Sequence, residues 1–258
     1  MNIVVCMKQV PDTYSERKLR PDSTLDRAAA DGVINELDEY AIEEGLRLAE
    51  AHGGEVTILS MGPDRATESI RKALSMGADK AVHLVDDALA GSDALATSAA
   101  LAAVLGRIGF DIVILGSEST DARMGVMAAM LSERLGVPQM SYASKVEIDG
   151  TAISINRQAD YGYDRVQGSL PAVISVVEKI NEPRYPSFKG IMAAKKKPVE
   201  TLSLADIGID PGQVGLASAA TEVVSFADRP PRQAGTVVKD DGDGGAKAAE
   251  FLAAQKFI

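Results

Sequence analysis

What this sequence lacks narrows what it can be. One cysteine, Cys6, stands among 258 residues, which excludes an internal disulfide and any cysteine-rich zinc site. There is no tryptophan, and aromatic residues make up only 4% of the chain. The core must therefore be built from alanine, valine, isoleucine and leucine, which suits a parallel sheet covered by helices. The two histidines, His52 at the end of a helical pattern and His83 inside an apolar strand pattern, suit structural positions, and no metal site is expected. No G-x-G-x-x-G, P-loop, paired-histidine metal motif or nucleophile elbow occurs, which excludes the commonest dinucleotide, NTPase and hydrolase readings. No pair of carboxylates has the context of a general acid and base, so bond-breaking catalysis is not expected. No run approaches the ~20 apolar residues that span a bilayer, and membrane insertion is not expected. Met1-Asn2-Ile3-Val4-Val5 runs straight into a strand pattern rather than a cleavable leader. Cytoplasmic residence is the resulting expectation. A formal charge of −10 argues against nucleic acid, whose phosphates need a basic face.

What is present is a regular alternation. Asn2 to Met7 is a continuous apolar run, the pattern of a strand buried on both faces. A polar excursion follows from Lys8 to Ala30. Asn35 is a good N-cap, and Asp38 three residues on imitates a capping box, so a helix is predicted from there to His52. Strands are predicted at Val56–Met61, Ala81–Val85 and Asp111–Leu115. Helices are predicted from Gly62-Pro63 to Met76, from Ser92 to Ile108 and from Val126 to Leu135. This spacing defines a doubly wound, mostly parallel α/β sheet. From Ser144 the texture changes: Lys145–Ile148 and Ala152–Arg157 read as a hairpin about Asp149-Gly150, and Ala172–Val177 as a further strand. Ser203–Asp206 suggests a short helix start. Residues 1–210 form the expected α/β domain, and 211–258 an extended C-terminal arm. Within that arm 239–245 is not expected to fold alone, whereas Ala248–Ile258 is weakly amphipathic and predicts a final helix that docks on something.

In an open parallel sheet, ligands bind at the carboxyl ends of strands, where the topology switches. The turns after Met7, Met61 and Leu115 are therefore the places for a nucleotide. The best candidate is Gly116-Ser117-Glu118-Ser119-Thr120-Asp121-Ala122-Arg123-Met124-Gly125. It joins a strand to a helix and offers hydroxyls and backbone N–H groups to a phosphate, with Arg123 able to add a charge. The same residues are also simply good turn and cap formers, and the pattern alone leaves the two readings even.

A second stretch stands out for being hard to fold: Asn181-Glu182-Pro183-Arg184-Tyr185-Pro186-Ser187-Phe188-Lys189-Gly190-Ile191-Met192, followed by Ala193-Ala194-Lys195-Lys196-Lys197. Two prolines forbid a regular helix across it and predict an extended, exposed loop. Apolar side chains on a stiff loop lose little entropy on docking, and the lysines behind them could steer a partner. Equally, Phe188 and Ile191 could fold back onto the core.

Asn-Glu-Pro-Arg-Tyr-Pro ahead of Gly-Ile-Met and the lysine run resembles the signature of the β subunit of electron transfer flavoproteins. Val5-Cys6-Met7-Lys8-Gln9-Val10-Pro11-Asp12, Ala73-Leu74-Ser75-Met76-Gly77-Ala78-Asp79 and Leu170-Pro171-Ala172-Val173 resemble other parts of that family, and the likeness reaches about residue 210. It implies a Rossmann-like sheet of the adenine nucleotide α-hydrolase type. It further implies an electron carrier that pairs with an α subunit, holds structural AMP and helps hold an FAD bound mainly by that subunit. Carried over by position, the AMP contacts fall on Cys6, Asn35, Glu36, Leu37, Asp38, Met61 and Gly116 through Gly125, Val126 and Met127. The FAD-facing edge falls on Thr13, Tyr14 and Leu37. Arg184 to Met192 would dock acyl-CoA or related dehydrogenases, whose electrons pass on to a quinone-linked oxidoreductase, and 211–258 would pack on the α subunit. The chain departs from the family's pattern in two places. Phe188-Lys189 replaces the commoner Leu-Pro, and Asp121-Ala122-Arg123-Met124-Gly125-Val126-Met127 replaces Asp-Gly-Asp-Thr-Gly-Gln-Val, where Arg123 is the candidate substitute for the lost donors. Two rivals remain: a bifurcating relative with a second FAD in place of AMP, and a free-standing nucleotide-binding enzyme.

Overall fold

A computed structural model of the chain describes residues 1–227, 230–232, 235 and 237–258. They divide into two units, Met1–Glu222 and Val223–Ile258. The first carries a doubly wound sheet in the order β11-β5-β4-β1-β6-β10-β7-β8-β9, parallel from β11 to β7 and antiparallel across β7, β8 and β9. The strands are β1 (Asn2–Cys6), β4 (Glu55–Met61), β5 (Lys80–Leu84), β6 (Ile112–Gly116), β7 (Gln139–Asp149), β8 (Ala152–Ala159), β9 (Gly162–Ser169), β10 (Ala172–Val176) and β11 (Val199–Leu202). Those at the centre read as apolar runs because both faces are covered. Ile3 and Val5 belong to one buried cluster with α1 (Glu36–His52) and α2 (Thr67–Met76). Val4 and Cys6 belong to the other, with α3 (Ala94–Ile108) and α4 (Met127–Leu135). Each fully buried Ile, Leu or Val there contributes about 1.5–3 kcal/mol.

Four features depart from the sequence pattern. The polar excursion is not a bare loop: β2 (Gln9–Pro11) and β3 (Gly32–Ile34) pair antiparallel and close it into an arm. The hairpin gains a third strand, β9, whose largely exposed side chains leave no apolar alternation to read. Edge strand β11 is only four residues long, with Leu202 alone buried. The segment expected to be extended through Met192 instead turns into α5 (Phe188–Ala194), because the Ser187 hydroxyl accepts the Gly190 amide and caps a helix just past the second proline.

The first unit continues past residue 210, the sequence boundary of the arm. Val214 is buried, and the Gly215 amide donates to Ser92 Oγ at 2.9 Å. The second unit carries α6 (Gly244–Ala254), which begins and ends about a turn earlier than its amphipathic pattern suggests. At its start the Asp240 carboxylate accepts the amides of Gly242 and Gly244 at 2.9 and 2.8 Å and organises 240–244 into the helix start. Among the described residues no helix is long and apolar enough to cross a membrane.

Candidate functional site

The chain runs from β1 to β4 and β5 on one side and returns through β6 on the other, so the sheet's switch point lies at the carboxyl ends of β1 and β6. Three segments meet there: Lys8 after β1, the first turn of α1, and the 117–126 loop after β6. Their contacts are made by side chains that sequence reasoning had assigned to capping. Asn35 does not cap α1 with its side chain. Its Oδ1 accepts the Thr120 amide at 3.0 Å, and its Nδ2 donates to the Glu118 carbonyl at 2.9 Å. Asp38 likewise turns away from the capping role. Its carboxylate accepts the amides of Lys8 at 2.8 Å and of Gly116 at 3.2 Å. The helix N-terminus is thereby bolted to both neighbouring strand ends. Gly116 permits this approach, since a Cβ there would lie 2.6 Å from Asp38 Oδ1 and 2.7 Å from the Leu37 carbonyl carbon.

Asp121 is the second bolt. Its side chain is 1% exposed and lies between Lys8 Nζ at 2.8 Å and Arg27 Nη2 at 2.6 Å. Burial alone would raise its pKa. The charge and hydrogen bond of Lys8, the Ser119 hydrogen bond and the charge of Arg27 outweigh burial and hold it at about 2. Arg17 adds a bond to the Thr120 carbonyl at 2.7 Å, and Arg65 ties the arm itself through the carbonyls of Arg27 and Ala30. These cations were missed on sequence. Lys8, Arg17 and Arg27 lie in the polar excursion, which the pattern leaves open between a functional loop and a solvated one, and the signal available was their density opposite an acidic loop.

The remaining expected contacts are placed as follows. Cys6 is buried at the end of β1, where burial first and the Asp38 charge second push its thiol well up. Met61 ends β4, half-buried. Ser117, Glu118, Ser119, Val126 and Met127 are half-buried along the loop and at the start of α4, whereas Glu36, Ala122 and Met124 are exposed. Arg123 takes a left-handed conformation at φ 50° with its side chain outward, its nearest carboxylate being Glu118 at 3.8 Å. Asp121 is thus neutralised by Lys8 and Arg27, whereas Arg123 pairs loosely with Glu118 and its side chain stays largely exposed. Gly125 keeps a left-handed backbone at φ 64°. Thr13 and Tyr14 sit exposed on the arm, Tyr14 in a turn closed by Asp12. Among the described residues no group of histidine, cysteine, aspartate or glutamate could hold a metal ion.

A cleft of about 620 Å³ adjoins the same first turn of α1, between α1, the end of α2 and the proline-rich segment, with Glu36, Leu37, Tyr40, Met76, Pro183 and Tyr185 on its walls. The apolar side chains beside it do not fold back onto the core: Tyr185 is 96% exposed and Phe188 82%, with Ile191 and Met192 exposed as well. Lys197 is not a steering charge. Its ammonium donates to the carbonyls of Leu74, Gly77 and Ala78 at the end of α2, and burial lowers its pKa.

This architecture defines a doubly wound α/β protein whose loops gather where such sheets hold ligands. The electron transfer flavoprotein domain matches residues 22–207. The electron transfer flavoprotein subunit beta of Mycobacterium tuberculosis is 54% identical over 264 residues, covering 100% of this chain and 99% of that protein. The subunit of the same name from Thermoanaerobacterium thermosaccharolyticum is 38% identical over 238 residues, with 92% of each covered. The caffeyl-CoA reductase-Etf complex subunit CarD of Acetobacterium woodii is 34% identical over 241 residues, again with 92% of each covered. The chain belongs to the electron transfer flavoprotein family, among its β subunits.

Proposed function

We propose that this chain is the β subunit of a heterodimeric electron transfer flavoprotein, holding AMP in the 116–127 loop and completing one wall of an FAD site carried mainly by an α subunit. The observation that carries the reading is the interlock of Asn35, Asp38 and Asp121, which fixes the ends of β1 and β6 and the start of α1 around one switch point. The residues present fit a nucleotide. Thr120 Oγ1 is buried without a hydrogen-bond partner, a polar atom that a bound ligand would satisfy. The α4 N-terminus, preceded by Gly125, offers backbone N–H groups to a phosphate, and Arg123 supplies a positive charge at its edge. Thr13, Tyr14 and Leu37 would face the FAD. Tyr185, Phe188, Ile191 and Met192 would dock a flavin dehydrogenase of the acyl-CoA type, and 211–258 would pack on the α subunit. The FAD, when bound, supplies the redox chemistry and passes electrons to a quinone-linked oxidoreductase. The chain's own residues bind, orient and recognise.

The test is to co-express the chain with its α subunit and add catalytic amounts of an acyl-CoA dehydrogenase and its substrate without oxygen. Bleaching of the heterodimer's flavin absorbance supports the reading. A chain that purifies alone, or a flavin that stays oxidised, contradicts it. A second reading, a bifurcating subunit with a second FAD in the 116–127 site, is favoured by the Acetobacterium woodii relative, named as part of a reductase-Etf complex.

A further inference from the structure

The proline-rich segment is fastened at both ends by groups that are not on its apolar face. At the start, Arg184 forks onto α1. Its Nε and Nη2 donate to Glu43 at 2.7 and 3.0 Å, its Nη1 and Nη2 to Glu50 at 2.6 and 3.3 Å, and its own amide to Glu43 at 3.2 Å. Asn181 adds bonds to the Tyr40 carbonyl and the Glu44 carboxylate, both at 3.1 Å. At the far end α5 lies on α2. Arg71 donates to the carbonyls of Ala194 and Lys197 at 2.7 and 2.8 Å, and Lys197 answers with three bonds to the end of α2. Between these two fastenings stand Tyr185, Phe188, Ile191 and Met192, directed outward.

We infer that Arg184 is a positioning residue, which with Glu43 presets the outward side chains for docking and does not itself touch the partner. This rests on the docking role proposed above. An unanchored loop would have to be ordered at each encounter, whereas one already held meets its pocket without that entropy loss. The guanidinium fork suits the task, because its planar geometry matches a carboxylate in a way an ammonium cannot. Glu43 decides between anchor and contact. Its side chain is 8% exposed, so it reaches a partner only through Arg184.

The experiment is a double-mutant cycle on the purified heterodimer with Arg184→Ala, Glu43→Gln and both together, and with Phe188→Ala as the docking control. The readouts are KM and kcat for the heterodimer as acceptor of an acyl-CoA dehydrogenase, its flavin content, and amide hydrogen exchange across 185–192. Both single variants should raise KM roughly three- to tenfold at unchanged kcat and flavin content, and speed exchange across the segment. The double variant should be no worse than the worse single, and Arg184→Lys should recover only part. A normal KM and slow exchange in Glu43→Gln alongside a raised KM in Arg184→Ala would overturn the proposal and make Arg184 a partner contact. Additive effects would overturn it as well. If Phe188→Ala also leaves KM unchanged, the docking role is what fails, and hydrogen exchange still reads the anchor by itself.

Discussion

Asn35 and Thr120 are joined across the switch point: the Asn35 carboxamide oxygen accepts the Thr120 amide at 3.0 Å, and the same side chain donates to the neighbouring Glu118 carbonyl. One buried amide thus satisfies two backbone groups of a loop that has no regular structure of its own to do so. Asn35→Ala leaves both unpaired. The heterodimer should lose about 2–4 kcal/mol of stability in urea unfolding and most of its bound AMP. Native stability with full AMP occupancy would show that the loop is held by other means.

Asp121 makes a pH-dependent contribution. Its folded pKa, about 2, lies below the ordinary 3.8, so the stabilisation is fully present above pH 3.8 and fades as pH falls toward 2. Lys8 and Arg27 are partly exposed and screened, so Asp121→Asn should cost roughly 1–2 kcal/mol at neutral pH. The deficit should shrink on acidification to about pH 3. Urea midpoints at the two pH values check this, and a deficit undiminished at pH 3 would contradict it.

Asp38 acts with the opposite sign. Burial is the largest influence and pushes its carboxyl from 3.8 up to about 7, while the amides of Lys8 and Gly116 pull the other way. A folded pKa above the unfolded one favours folding most below pH 3.8, and that advantage drains away as pH rises to 7. Asp38→Asn should therefore flatten the fall in stability between about pH 4 and 7. An unchanged slope in that window would count against a protonated Asp38.

Gly190 allows α5 to lie against α2, since a Cβ there would sit 2.4 Å from the Ser75 carbonyl oxygen. Gly190→Ala should lower stability by about 1–3 kcal/mol and speed amide exchange in 188–194. Wild-type values for both would mean that the helices shift apart freely.

Phe188 should show the reverse profile. At 82% exposed it contributes little to folding, so Phe188→Ala should change stability by no more than about 0.5 kcal/mol. Its KM as an electron acceptor should rise clearly. A fall in stability with an unchanged KM would make Phe188 a packing residue.

The fold was legible because buried parallel strands leave continuous apolar runs and because Gly77 and Gly136 close their helices where the pattern stops. The place of the switch-point loop was legible by topology, while the pattern left its role even between a ligand loop and a plain turn, and the family resemblance tipped it. The interlock within it was not. Asn35 and Asp38 read as helix caps, and the same short polar side chains that cap a helix serve equally well to hold a loop lying beyond its end. Nor was the pairing of Asp121 with Lys8 and Arg27, which depends on the arm folding back through β2 and β3. Strands β9 and β11 were missed because largely exposed strands carry no apolar period. In α5, prolines just upstream hid a helix that Ser187 starts.

The most direct measurement is the ligand content of the purified heterodimer, released by denaturation and separated by chromatography. One AMP and one FAD per heterodimer is the expected result. Two FAD and no AMP, or no adenine nucleotide beyond a single FAD, would contradict an AMP site in the 116–127 loop.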